Sequence, residues 1–174
     1  MIFKRGYIQV YTGEGKGKTT AAIGLAIRAV GASGRVLFAQ FIKKKRCSEH
    51  HVLTTLYPSI EVRQYGQGCF LRRKPNQKDI TSAKMGIREI IELAPRGDYD
   101  LIVLDELNVA LHHGLVDTED VHELLRVRHP KTEIVITGRY AHDLIIERAD
   151  LVTEMRNIKH YSQRGLKARK GIEK

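Results

Sequence analysis

The segment "YTGEGKGKTTAAIG" (Tyr11 to Gly24) constrains the fold most, because it sets four glycines and two lysines between a β-forming run and an Ala-rich run. Before it, "YIQVYT" (Tyr7 to Thr12) alternates large β-formers and ends at glycine, as a strand feeding a loop does. After it, "KTTAAIGLAIRAVG" places Ala22, Leu25, Ala26 and Ala29 at helical spacing until Gly31 and Gly34 stop it. Strand, glycine loop and helix in that order let backbone N–H groups and a helix N-terminus cradle phosphates. Gly13, Gly15 and Gly17 supply the close approach and unusual φ values that such a nest requires. Lys18 offers a point charge to the phosphates, and Thr19 a hydroxyl to a bound magnesium ion. The strict pattern G-x-x-x-x-G-K-[ST] asks for glycine where this chain has Thr12. A glycine-rich turn with solvated lysines is the alternative, and the strand and helix on either side weigh against it.

Downstream, "RVLFAQFI" (Arg35 to Ile42) is a short, nearly continuous apolar run, which fits a strand covered on both faces. From Lys43 to about Lys78 we expect loops and local structure around one candidate strand, "IEVRQY" (Ile60 to Tyr65). "DITSAKMGIREIIELA" reads as an amphipathic helix capped near Asp79 or Thr81 and stopped by Pro95, with Ile87, Ile90, Ile91 and Ala94 on one face. "YDLIVLDE" and "EIVITG" are buried strands, "DTEDVHELLRVR" (Asp117 to Arg128) and "AHDLIIERA" are helices, and "LVTEMR" is a final strand. Apolar strands alternating with helices predict an α/β fold with a mainly parallel sheet. At 174 residues the chain has the size of one domain, and no repeat marks a second.

A phosphate loop needs a carboxylate to hold its metal, and "LIVLDE" offers Asp105 and Glu106 at a strand end. Capping of a turn is the alternative for Asp105. "VITGR" ends another strand, and open parallel sheets bind ligands at the carboxyl ends of their strands, which makes Arg139 a candidate anion contact. The pairs His50-His51 and His112-His113 read as solvated or packed residues, since adjacent side chains point apart on a helix or strand. Cys47 and Cys69 match no zinc or redox spacing. Without a signal peptide or a run near the roughly 20 apolar residues that span a bilayer, the chain reads as soluble and cytoplasmic. Thirty Lys and Arg against 20 Asp and Glu, a formal charge of +10, call for an anionic partner, and composition alone does not choose which.

"YTGEGKGKTTAAIGLAIRAVG", "QFIK", "LIVLDELNVAL" and "ITGRYAHDLIIERADLVTEMRNIKHYSQRGLKARKGI" closely resemble the ATP:corrinoid adenosyltransferases of cobalamin synthesis and salvage, in the same order and spacing. The resemblance runs from about Gly6 to Ile172, and a glycine loop lacking its outermost glycine is a feature of that family. It implies a single P-loop (RecA-like) domain over 1–174, a three-layer α/β/α sandwich ending in a basic tail at 157–174. It further implies that cobalt(I) of a reduced corrinoid attacks the ribose 5′ carbon of ATP and releases triphosphate, so the broken bond is carbon–oxygen. The corrin supplies the nucleophile, and the protein aligns it and stabilises the leaving charge. The nucleotide would lie reversed in the loop, its γ-phosphate deep and its 5′ carbon toward the corrinoid. Gly13, Glu14, Gly15, Lys16, Gly17, Lys18, Thr19 and Thr20 would hold the triphosphate. Thr19 and Glu106, with Asp105 beside it, would form the shell of Mg2+ or Mn2+; Lys18, Thr19 and Glu106 would be catalytic, and Arg139 would touch phosphate. Arg28 would touch the nucleoside, although helical spacing alone allows it to be a surface residue.

Relatives press an aromatic pair on the corrin and displace the lower cobalt ligand; Cys69, Phe70 and Leu71 stand in that neighbourhood here, with Phe70 offset from the expected positions. Cys69 could instead be a small buried hydrophobe. The implied partners are the corrinoid substrate, a flavoprotein reductant and a second copy in a homodimer, with no membrane and no nucleic acid. Some relatives carry an N-terminal extension over the partner's site; this chain begins about six residues before its first strand, so no such lid is expected. The rivals are a nucleic-acid-stimulated P-loop ATPase, which the net charge favours, and a carrier whose site has decayed. Intact Lys18, Thr19, Asp105 and Glu106 argue against decay.

Overall fold

In a computed structural model describing residues 1–43, 47–68 and 74–172, six strands form one sheet: β1 (Ile8–Thr12), β2 (Val36–Lys43), β3 (Ile60–Gly68), β4 (Leu101–Asp105), β5 (Glu133–Thr137) and β6 (Leu151–Glu154). Their order is β3-β2-β4-β5-β1-β6 and every pairing is parallel. Parallel strands require crossovers, which the helices supply. These are α1 (Lys18–Gly31), α2 (Ser48–Thr55), α3 (Gln77–Leu93), α4 (Leu107–His112), α5 (Thr118–Val127) and α6 (Asp143–Arg148). β5 lies between β1 and β4, so the loop after β1 and the acids ending β4 face each other across one intervening strand.

β2 shows why this is a three-layer sandwich. Leu37, Ala39 and Phe41 point to one face, where they meet Ala83, Ile87 and Ile90 of α3 and Leu107 of α4. Val36 and Phe38 point to the other, with Ala22, Ala26 and Ala29 of α1 and Leu53 of α2. A two-residue period feeds two cores at once, which is why the run is apolar throughout. Alanines at i, i+4 and i+7 give α1 a smooth face that lies close on the sheet.

Four details depart from the sequence reading. The middle segment holds helix α2, and β3 extends to Gly68. α3 begins at Gln77 behind Asn76, whose side chain accepts from the Asp79 N–H at 3.1 Å while Asp79 accepts from the Asn76 N–H at 2.8 Å. Asp79 is therefore the third residue of a reciprocal capping box rather than the cap. The six-residue helix α4 follows Glu106 directly, in a stretch to which the sequence reading assigns no element.

Candidate functional site

The glycine loop curls at the carboxyl end of β1, with Gly13 and Gly17 in the left-handed region (φ 91° and 121°). Its back is set against the chain leaving β6. The Gly15 N–H donates to the Met155 carbonyl at 2.6 Å, and the Met155 N–H to the Thr12 carbonyl at 2.9 Å. A Cβ on Gly15 would stand 2.6 Å from the Met155 oxygen and 2.8 Å from that of Arg156. The glycine is thus required by a neighbouring backbone as much as by any ligand. Thr12, in place of the outermost glycine, accepts from the Ala141 N–H at 3.3 Å and so ties the loop to the segment after β5.

Lys18 opens α1 and folds back over the loop, donating to the Gly13 and Gly15 carbonyls at 2.6 Å each. Burial pushes its pKa down, and nearby Arg139 adds to this. Arg139 pairs with Glu14 at 3.1 Å, so two cations stand at the mouth of the loop.

Thr19, one residue on, donates its hydroxyl to Asp105 Oδ1 at 2.8 Å. Asp105 is fully buried, yet it accepts four bonds: from Thr19, from Thr137 Oγ1 at 2.7 Å, from Gln40 Nε2 at 2.9 Å and from Lys43 Nζ at 3.1 Å. Burial works to raise its pKa, but the Lys43 charge and the bonds from Thr137, Thr19 and Gln40 hold it below the usual carboxylate range. Glu106, next in sequence, adopts a left-handed backbone (φ 62°) with its N–H on Thr137 Oγ1 at 3.0 Å. Its carboxylate lies 3.9 Å from Lys43 Nζ. Burial and the adjacent Asp105 charge push the Glu106 pKa up. The Lys43 pKa is raised: burial opposes its charge, and the Asp105 and Glu106 carboxylates outweigh burial.

Lys43 reaches this pair because β2 breaks register at its end. Ile42 takes φ 70°, and the pairing with β3 shifts there, opposite Gly66. A Cβ on Gly66 would lie 2.1 Å from the Ile42 carbonyl carbon, so only glycine admits this bulge.

The structure therefore brings Gly13 to Thr19, Asp105, Glu106 and Arg139 to one edge of the sheet. Thr20 is exposed on the first turn of α1, and Lys16 donates to the Ile172 carbonyl at 2.9 Å. Arg28 is exposed in the last turn of α1, roughly 15 Å along the axis from Lys18. The fold does not bring it to the loop. Cys69, Phe70 and Leu71 lie outside the described residues. Gln40, Lys43 and Thr137 were missed as site residues. The available signal was polar residues within or ending runs that must be buried on both faces. Of the histidine pairs, His112 stacks on Tyr140 at 4.2 Å and His113 meets His112 edge-on. No helix among the described residues is long and apolar enough to cross a membrane.

Comparison with known proteins adds the family. Among solved structures, the flagellar accessory protein FlaH from Methanocaldococcus jannaschii superposes with a TM-score of 0.62 at 13% identity, over 87% of this chain and 72% of that one, a likeness of fold alone. The corrinoid adenosyltransferase of Pseudomonas aeruginosa is 36% identical over 98% of this chain and 84% of its own. That of Escherichia coli K12 is 37% identical over 98% and 86%, and that of Salmonella typhimurium 36% over 98% and 86%. The model of the family described as ATP:corrinoid adenosyltransferase BtuR/CobO/CobP matches residues 4–173. With the match running the length of the chain, the protein belongs to the ATP:corrinoid adenosyltransferase family.

Proposed function

We propose that this chain transfers the 5′-deoxyadenosyl group of ATP to the cobalt(I) centre of a reduced corrinoid and releases triphosphate, serving adenosylcobalamin synthesis or salvage. The observation that carries the reading is family membership joined to the meeting of Lys18 and Thr19 with Asp105, Glu106 and Arg139. The transfer needs no general base from the protein, because the metal-centred nucleophile arrives with the substrate. What it needs is a seat for a leaving group of high negative charge. The loop N–H groups, the N-terminus of α1, Lys18 and Arg139 provide that seat.

Thr19 and Glu106 would hold a Mg2+ or Mn2+ ion. Both present hard oxygen donors, whereas Asp105, saturated by four donors, stands behind Thr19 and orients it. When bound, the ion would neutralise charge on the triphosphate. Lys43 favours the ionised form of both carboxylates; Asp105 is held low, while burial and the Asp105 charge still leave Glu106 raised. We take 1–174 as one domain with a basic tail from 157, working as a homodimer in the cytoplasm with a flavoprotein reductant.

The test is anaerobic incubation with chemically reduced cob(I)alamin, ATP and magnesium, following the visible spectrum for adenosylcobalamin and assaying triphosphate. Both products should appear together and vanish in Lys18→Ala. No turnover with corrinoid, but phosphate release stimulated by DNA, would hand the chain to the ATPase reading.

A further inference from the structure

Cys47, Glu49 and His50 place three ligand-type atoms within 4.8 Å of one another, which invites a metal reading. The hydrogen bonds of His50 point elsewhere. Nδ1 accepts from the Cys47 backbone N–H at 2.9 Å, and Nε2 lies 2.5 Å from Gln40 Oε1. Both ring nitrogens are engaged, so neither is free to ligate.

These bonds have a direction. A backbone N–H only donates, so His50 Nδ1 must be the acceptor and Nε2 must carry the proton. Nε2–H then donates to the oxygen of the Gln40 amide, which turns its NH2 toward Asp105 Oδ2 at 2.9 Å. An ionised carboxylate only accepts, so both ends of the chain agree on one orientation of Gln40. Gln64 Nε2 adds a longer bond to the same Gln40 oxygen at 3.3 Å; its 3.0 Å approach to His50 Nε2 is a contact between two donors. His50 is 2% exposed and Gln40 and Asp105 are wholly buried, so no water is at hand to replace a missing donor.

We propose that His50 is a positioning residue for the acidic cluster, locking the Gln40 amide so that its NH2 fixes Asp105 and, through Asp105, the Thr19 hydroxyl. Without the His50 donor only the longer Gln64 bond holds the amide oxygen, and an amide that turns sets that oxygen against the carboxylate in place of the bond. The start of α2, remote from the glycine loop in sequence, thereby sets the geometry of the metal site. This rests on the reading of Thr19, Asp105 and Glu106 as that site.

The test is Mn2+ affinity of the full chain, read by electron paramagnetic resonance with ATP present, alongside the corrinoid KM. His50→Leu should weaken Mn2+ roughly tenfold, the lower end for a residue behind the metal ligands, with corrinoid KM unchanged. His50→Gln, whose amide carries a donor at the Nε2 position, should recover most of that loss. Should the leucine variant not fold, His50→Asn takes its place, since its amide is too short to reach Gln40 and should bind Mn2+ more weakly than the glutamine variant. Glu106→Gln separates the two levels of inference. If it weakens Mn2+ while His50→Leu or His50→Asn does not, the positioning role is overturned. If Glu106→Gln itself binds Mn2+ like the parent, the metal-site reading falls first. Equal loss in the glutamine and leucine or asparagine variants assigns His50 to packing and overturns the proposal.

Discussion

Thr137→Val tests how the acidic cluster is held. The substitution keeps shape and volume but removes a hydroxyl that makes two bonds, donating to Asp105 Oδ1 at 2.7 Å and accepting from the Glu106 N–H at 3.0 Å. A hydrogen bond to a charged group contributes about 1.5–3 kcal/mol, and a buried donor left unpaired costs about 1–3 kcal/mol. We expect a loss near the lower sum, about 2.5 kcal/mol. For a chain of this size, with a urea m-value of about 2–3 kcal/mol/M, the unfolding midpoint should fall by roughly 0.8–1.2 M. Thr137→Ser keeps the hydroxyl and sheds one methyl, so it should lose only about 1 kcal/mol. Because the folded Asp105 pKa is depressed, its contribution is complete above the unfolded value and is lost as pH falls through the folded one. The deficit of the valine variant should therefore stay flat through neutral pH and narrow only below about pH 4. Equal urea midpoints for the valine and serine variants would refute the account.

Three further outcomes are expected. Glu106→Gln should stabilise the ligand-free chain while abolishing transfer, because the raised pKa marks an ionised group that the fold disfavours. That gain should be absent below the unfolded value, grow as pH rises from there to the folded value and be full above it; thermal melts at about pH 3.5 and 8 measure it. Gly15→Ala should push the chain after β6 off the loop, since its Cβ would collide with two carbonyl oxygens; faster proteolysis beyond Glu154 together with weakened ATP binding is the readout. Gly86→Ala would set a Cβ 2.3 Å from the Tyr65 ring; overpacking of this kind costs about 1–3 kcal/mol, and denaturant melts should show it with ATP affinity intact.

The parallel sheet could be read from the sequence because strands buried on both faces leave apolar runs bounded by turn residues, and "RVLFAQFI" and "LIVLD" are such runs. α2 left no comparable trace. "SEHHVLTT" turns only His50 and Leu53 inward, so its apolar stripe is too thin to register as a helical period. α4 was hidden for a different reason: at six residues, Leu107–His112, it is too short to show a helical period after the acids that end β4. At the site, the loop, Asp105, Glu106 and Arg139 were legible from local order, since each ends a strand or opens a helix. Gln40, Lys43 and Thr137 were not, because their roles depend on which strands are neighbours and on a one-residue bulge at Ile42.

The seam between the glycine loop and β6 also bears on how the molecule is born. Gln9 lies opposite Leu151, so β1 leaves the ribosome long before the strand that completes its outer side. At 5–20 residues per second the wait is roughly 7–30 s. Until residue 155 emerges, the glycine segment has no Met155 carbonyl to receive the Gly15 N–H. On the proposed reading of the loop, affinity for nucleotide should therefore be acquired late in translation, and a nascent chain stalled short of β6 is expected to bind ATP more weakly than the full chain.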